Sequence, residues 1–228
     1  MVKKTRLHTR PLSVQLKTAR GRKVSSQRWL SRQLNDPYVV EARQRGYRSR
    51  AAFKLIEIDD RYHLLKPGKT VLDLGAAPGG WTQVCIERLK PESSQGCVIG
   101  VDIASMEPLP GALFVQLDFM ADNADSLLRE MLPKGTADVV LSDMAPSSSG
   151  HAPTDHLRIM ALVETAFDFA EGILAPQGAF IAKIRQGGGD KAFLEILRRR
   201  FERVILSKPD ASRKDSAEMY VVALGFRP

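Results

Sequence analysis

A glycine-rich loop and three carboxylates carry the first chemical signal. The stretch VLDLGAAPGGWTQ, residues 71–83, reads as a strand running into a turn and then a helix. Gly75 ends the strand, and Gly79 and Gly80 begin the helix. Glycine permits unusual backbone angles and lets a ligand approach the main chain. Pro78 removes one N–H donor and stiffens the turn. A pyrophosphate would want converging N–H groups at the helix start. This loop offers fewer of them and adds a bulky Trp81. It matches neither G-x-G-x-x-G nor G-x-x-x-x-G-K-[ST]. The pattern suits a nucleoside with an amino-acid tail and no phosphates, and S-adenosylmethionine is the common cofactor of that description.

The carboxylates follow at strand ends. VIGVDI places Asp102 at the end of a second strand, where an acid can accept hydrogen bonds from both ribose hydroxyls. ALFVQLDF ends in Asp118, which would lie near an adenine amino group. VVLSDMAPSSSG places Asp143 where the sheet opens onto the cofactor. Ligands of such sheets bind at the carboxyl ends of the strands. There is no Asn-Pro-Pro-aromatic run of the adenine-amino type. Cys85 falls in the helix after the loop and Cys97 precedes the second strand, so neither suits a cytosine-type nucleophile. Two cysteines make neither a disulfide framework nor a metal site.

Alternating elements must position these groups. Strands are expected at 70–74, 97–102, 112–116, 137–142, 178–184, 202–207 and 217–224. Helices are expected at 79–89, 122–131, 154–174 and 190–200. This alternation predicts a doubly wound, mostly parallel α/β sheet of seven strands. Residues 208–216 are too few for a crossover helix, so strands six and seven should be antiparallel neighbours. Helical spacing dominates from Ser26 to Tyr62. Residues 1–25 have poor periodicity and are expected to be a flexible basic tail, with one domain from 26 to 228.

The charge is uneven. The 228 residues hold 34 Lys/Arg and 26 Asp/Glu. Ten of the basic residues and none of the acidic ones lie in residues 1–35. A basic arm on a near-neutral body suggests a polyanionic partner, most often nucleic acid. No apolar run is long enough to span a membrane. The acid-free N-terminus is similar to a mitochondrial transit peptide, but Pro11 and the weak amphipathic period count against one. A cytoplasmic bacterial protein is expected.

The chain resembles the FtsJ-type ribosomal RNA 2′-O-methyltransferases. The resemblance rests on SSQRWLSRQLNDPYV, GYRSRAAFKL, DLGAAPGGW, SDMAPSSSG and KPDASRKDSAEMYVVA in that order. It implies a Rossmann-like class I methyltransferase fold and a Lys-Asp-Lys-Glu tetrad. The motif matches place that tetrad on Lys54, Asp143, Lys183 and Glu218. They place the family's cofactor contacts on Gly79, Trp81, Asp102, Asp118 and Asp143. They imply a monomer acting on a uridine ribose of large-subunit (23S) ribosomal RNA, in the assembled subunit, with transfer RNA or mitochondrial ribosomal RNA as alternative substrates. RQGGGD after Lys183 departs from the family, as does the basic stretch before Ser26.

The implied tetrad is chemically coherent. A ribose 2′-hydroxyl is a weak acid, and in-line methyl transfer needs it stripped of its proton. A lysine can serve as base only as a neutral amine. Lowering a lysine from about 10.4 to about 7.5 needs about 4 kcal/mol of differential interaction. Two lysines and a sulfonium repel one another's charge in that direction, while the two acids oppose it. Lys183 is assigned as base, Lys54 and Glu218 position the hydroxyl, and Asp143 bridges cofactor and lysine. The neighbouring EARQRGYRSRAAFK offers Arg43, Arg45, Arg48 and Arg50 to phosphates and Tyr47 to a splayed base. A nicotinamide oxidoreductase would need the missing G-x-G-x-x-G. A non-catalytic RNA-binding factor would not need all four tetrad residues.

Overall fold

The computed structural model describes Val14 and residues 24–146, 149–185 and 190–228. The expectations about residues 1–13 and 15–23 and about residues 186–189 of RQGGGD fall outside them. The strands are β1 (Thr70–Leu74), β2 (Cys97–Asp102), β3 (Leu113–Gln116), β4 (Ala137–Ser142), β5 (Leu174–Arg185), β6 (Phe201–Ser207) and β7 (Glu218–Phe226). The helices are α1 (Val24–Leu34), α2 (Pro37–Gln44), α3 (Ala52–Tyr62), α4 (Gly80–Leu89), α5 (Ala124–Met131), α6 (Ala152–Glu171) and α7 (Asp190–Arg200). They build one sheet in the order β3-β2-β1-β4-β5-β7-β6. The first five strands pair in parallel, and β7 runs antiparallel to both β5 and β6. The order reverses between β1 and β4, and a crevice opens at such a reversal.

The central strands are buried on both faces, as near-continuous apolar runs in a parallel sheet should be. Alternation divides their side chains between two cores. Leu72 and Leu74 join Phe167, Phe180 and Phe201 beneath α5–α7. Val71, Val98 and Ile181 join Leu55, Ile58, Trp81 and Val84 beneath α3 and α4. Asp73 points to that second side, where α4 supplies Thr82 as its partner, at 2.7 Å from Thr82 Oγ1 to Asp73 Oδ2.

The largest departures from the sequence expectation lie where the sixth helix meets the fifth strand. The sixth helix stops at Glu171, and β5 starts at Leu174. Apolar residues continue across the junction because Ile173 and Leu174 stay in the core after the backbone changes form. The register also shifts between Ala137 and Val139, which lets β5 run longer than 178–184. At the N-terminus, α2 begins on Pro37, with Asp36 accepting from Tyr38 N at 3.1 Å. That is the usual pairing of a side-chain cap with proline in the first turn. Among the described residues no helix is long and apolar enough to cross a membrane.

Candidate active site

Register brings the site together. Leu74 pairs with Ser142, Ser142 with Ala182, and Lys183 with Tyr220. Asp143 and Lys183 are therefore successive residues at neighbouring strand ends. Glu218 precedes Tyr220 by two residues on β7 and shares its face. Lys54 arrives from α3, which packs on that face with Lys54 only 7% exposed.

The side chains form one continuous chain of hydrogen bonds. Lys183 Nζ donates to Asp143 Oδ1 at 2.9 Å and to the Asp143 carbonyl at 2.5 Å. Tyr220 Oη donates to the same Oδ1 at 2.8 Å. Lys54 Nζ donates to Tyr220 Oη at 3.2 Å and to Glu218 Oε1 at 2.5 Å. Two cations and two anions balance around a phenol. Burial alone would raise the Asp143 carboxyl, but the charges of Lys183 and Lys54 and the Lys183 and Tyr220 hydrogen bonds hold it below the usual carboxylate range. Burial, Asp143 and Glu218 together push the Tyr220 phenol well above its ordinary value, so it stays a donor. All four residues of the expected tetrad thus meet. Tyr220 is the member that sequence reasoning misses. Its available signal was its place two residues after Glu218 on a strand.

The crevice beside this chain carries the loop residues. Asp102 Oδ2 accepts from Ala77 N at 2.9 Å and Oδ1 from Ala104 N at 2.8 Å. Each oxygen keeps a further acceptor site. Ile103, next to it, is 68% exposed, and sequence reasoning did not single it out. Asp118 lies beyond the end of β3 and accepts from Met120 N at 2.9 Å. Asp73 Oδ1 is buried and, among the described residues, has no hydrogen-bond partner. Burial pushes the Asp73 carboxyl up to about 7, with Asp143 and Asp102 adding to the shift and Thr82 opposing it.

The loop glycines make room chiefly for protein. A Cβ at Gly75 would lie 2.8 Å from Met144 N, so glycine lets the end of β4 close on β1. At Gly79, with φ +108°, it would meet Leu109 and Arg48, and at Gly80 it would run into Ser49. Trp81 also corrects the sequence reading. Its indole is 3% exposed, donates to the Ala51 carbonyl at 2.8 Å and packs on Tyr220. The side chain fastens α4 to the start of α3, so a bulky ring facing a ligand is not what this tryptophan supplies. Its backbone N–H lies in the first turn of α4, where no intrahelical acceptor is available.

The expected RNA-contact residues divide. Arg48 donates to the carbonyls of Pro78, Glu107 and Pro108 at 3.3, 2.6 and 3.0 Å. It thus straps the segment before α3 to the lip of the crevice. Arg50 donates to the Ala211 carbonyl at 2.5 Å and pairs with Asp36 at 2.9 Å. Arg45 pairs with Glu41 at 2.6 Å. The Tyr47 hydroxyl donates to Glu87 at 2.7 Å and its ring sits edge-on to Phe53, so it is not free to stack a base. Among the described residues Arg43 alone of the five is exposed and without a partner. Cys85 is fully buried, and burial pushes its thiol up, which suits a packing residue.

Residues 47–226 match the FtsJ-like methyltransferase family. The chain belongs to this family. The large-subunit ribosomal RNA methyltransferase E of Paramagnetospirillum magneticum is 58% identical over 222 residues, covering 96% of this chain and 90% of its own. That of Roseobacter denitrificans is 56% identical, covering 96% and 92%. A Plasmodium falciparum structure described as a ribosomal RNA methyltransferase superposes with a TM-score of 0.70 at 34% identity, covering 79% of this chain and 98% of that one. An FtsJ-like methyltransferase uses S-adenosylmethionine as a class. The crevice fits it: Asp102 retains acceptor capacity for ribose hydroxyls, and Ile103 offers an exposed apolar face.

Proposed function

We propose that this chain transfers a methyl group from S-adenosylmethionine to the 2′-hydroxyl of a uridine ribose in large-subunit (23S) ribosomal RNA. The observation that carries the reading is the linked set Lys54–Glu218–Tyr220–Asp143–Lys183 at the mouth of the crevice. The relatives named for large-subunit ribosomal RNA methylation support the substrate class. Work on that subunit places the chain in the bacterial cytoplasm.

When bound, the cofactor would supply an electrophilic methyl group on a sulfonium, which becomes a neutral thioether on transfer. Asp102 would hold its ribose hydroxyls and Asp118 its base, and Gly75, Gly79, Gly80 and the Trp81 N–H would line its loop. Lys183, once it has released a proton and stands as the neutral amine, accepts the proton of the 2′-hydroxyl. Asp143 stays ionised and orients Lys183. Glu218 and Lys54 hold the hydroxyl in line. Tyr220 stays protonated and keeps the two ion pairs in one geometry. The low exposure of Lys54 and Lys183 excludes water that would compete for the proton.

The test is a map of 2′-O-methylation in the 23S ribosomal RNA of large subunits from cells lacking this chain, incubated with the wild-type chain and with Lys183→Ala. One new methylated uridine is expected with wild type. The variant should fall below about a hundredth of that rate, because general-base catalysis contributes about 10²–10⁴-fold. An unchanged map with wild type overturns the ribosomal reading. A Lys183→Ala rate near wild type overturns the base assignment.

A further inference from the structure

A second cleft opens behind the catalytic Glu218. Arg32, Asp36, Tyr38, Arg213, Lys214 and Asp215 line it, and its volume is about 430 Å³. It lies between the start of α2 and the connection from β6 to β7. We propose that it seats single-stranded RNA flanking the methylated nucleotide; this rests on the RNA reading above.

Four observations converge on it. First, the cleft adjoins the catalytic chain through one residue. Ser212 lines it and donates from Oγ to Glu218 Oε1 at 3.4 Å. A strand whose ribose reaches Lys54 and Lys183 can continue past this point. Second, its floor is built from guanidinium groups. Arg50 and Arg213 share the buried carboxylate of Asp36, at 2.9 and 3.3 Å. With Arg32 and Lys214 the lining carries four basic side chains against the three acids Asp36, Asp210 and Asp215, a small positive excess.

Third, the rim is suited to a nucleotide. Arg32 and Lys214 are exposed and, among the described residues, have no ion-pair partner, so they are available to phosphates. Asp210 and Asp215 are exposed at the same mouth and can accept from base and sugar donors. A simple anion would be repelled by those acids, whereas a nucleotide carries both acceptors and donors. Fourth, Val14 is tied there. Val14 N donates to Asn35 Oδ1 at 2.8 Å, and Asn35 Nδ2 donates to the Val14 carbonyl at 3.1 Å. Asn35 lines the cleft. Val14, a residue of the acid-free N-terminal sequence, is thereby held beside the proposed path of the strand.

The test compares wild type, the double reversal Arg32→Glu/Lys214→Glu, and a control reversal Arg198→Glu/Arg199→Glu. The control residues are exposed in the last turn of α7, at the other end of the sheet from the tetrad. The probe is the 23S ribosomal RNA of large subunits from cells lacking this chain, with filter binding across a potassium chloride series and methylation kinetics. The cleft reversal should weaken RNA binding by about tenfold or more at 0.1 M salt and lower the salt slope by about 1.4, at about 0.7 per single-strand phosphate. S-adenosylmethionine affinity and the rate at saturating RNA should stay within about twofold, so the effect appears in KM. The control should change RNA affinity by less than half as much on a logarithmic scale. A cleft reversal that binds RNA like wild type overturns the proposal, as does a control that weakens binding equally. If wild type itself neither binds nor methylates this RNA, the ribosomal reading falls with it. If wild type methylates and only the cleft reversal is silent, the cleft alone falls.

Discussion

Tyr220 Oη sits 2.8 Å from Asp143 Oδ1 and 3.2 Å from Lys54 Nζ, so one phenol joins the two ion pairs of the site. Its ring is fully buried and packs against Trp81. Tyr220→Phe keeps that ring and removes the hydroxyl. A hydrogen bond to a charged group contributes about 1.5–3 kcal/mol, so the rate of transfer should fall about tenfold or more. Cofactor affinity should stay within about twofold, because the hydroxyl faces the tetrad. Single-turnover methylation measured beside calorimetric cofactor binding decides it. A variant with the wild-type rate would show that the phenol is only a packing group.

Asp73 gives a pH prediction with a definite sign. Its folded carboxyl titrates near about 7 because burial disfavours the ionised form. The unfolded carboxyl titrates near about 3.9. Between those values the folded chain holds a proton that the unfolded chain has lost. Stability from this group is therefore present below the unfolded value and declines as pH rises to about 7. Asp73→Asn removes that titration. The melting temperature of the variant relative to wild type should rise between pH 5 and pH 8. The Asp143 carboxyl runs the other way, since its depressed value stabilises the fold above the ordinary carboxylate range and is lost in acid. A gap between Asp73→Asn and wild type that is constant with pH would mean Asp73 is ionised throughout.

Arg48 reads as an RNA contact in sequence and as a strap in the structure. Its three carbonyl acceptors belong to the cofactor loop and to the connection after Asp102. Arg48→Ala should therefore loosen the crevice and raise the cofactor dissociation constant several-fold, toward the about tenfold or larger loss expected for Asp102→Ala, which removes a charged acceptor. RNA affinity should move less than cofactor affinity in both variants. Calorimetry with the cofactor and filter binding with RNA separate the two. If Arg48→Ala weakened RNA binding and spared the cofactor, the strap would be incidental.

The contrast between Arg48 and Lys54 shows what the sequence can and cannot tell. The strand ends were legible because parallel strands announce themselves as apolar runs, and the carboxyl end of each run is fixed once its direction is known. Asp102, Asp143, Lys183 and Glu218 follow from that alone or with a motif. The short 208–216 connection likewise required an antiparallel last strand, and β7 runs so. Side-chain engagement was not legible. Arg45, Tyr47, Arg48 and Arg50 each find a partner from an element distant in sequence or one helical turn away. A basic segment looks the same in a sequence whether its guanidinium groups meet phosphate or carbonyl oxygens. Trp81 is the same lesson for an aromatic: its position beside a glycine loop suggests a ligand wall, while the proximity of Ala51 and Tyr220 depends on α3 folding back over α4.

The N-terminal stretch yields the last prediction. Removing residues 1–23 deletes Lys3, Lys4, Arg6, Arg10, Lys17, Arg20, Arg22 and Lys23 and no acid, and it leaves α1 whole from Val24. Among the described residues its contacts with the body are the two bonds between Val14 and Asn35, so the fold and cofactor binding should survive. RNA binding should weaken, most strongly at low salt. If half the deleted charges meet single-strand phosphates, the slope of log affinity against log salt should fall by roughly 3, at about 0.7 for each. The rate at saturating RNA should change little, because the tetrad is untouched and the arm acts on encounter and affinity. Asn35→Ala in the full-length chain should give a smaller loss of affinity with the slope retained, since the charges remain while their tether is cut. Equal slopes for truncated and full-length protein would remove the reason for reading this stretch as an RNA-binding arm, and would favour an import signal or an idle extension instead.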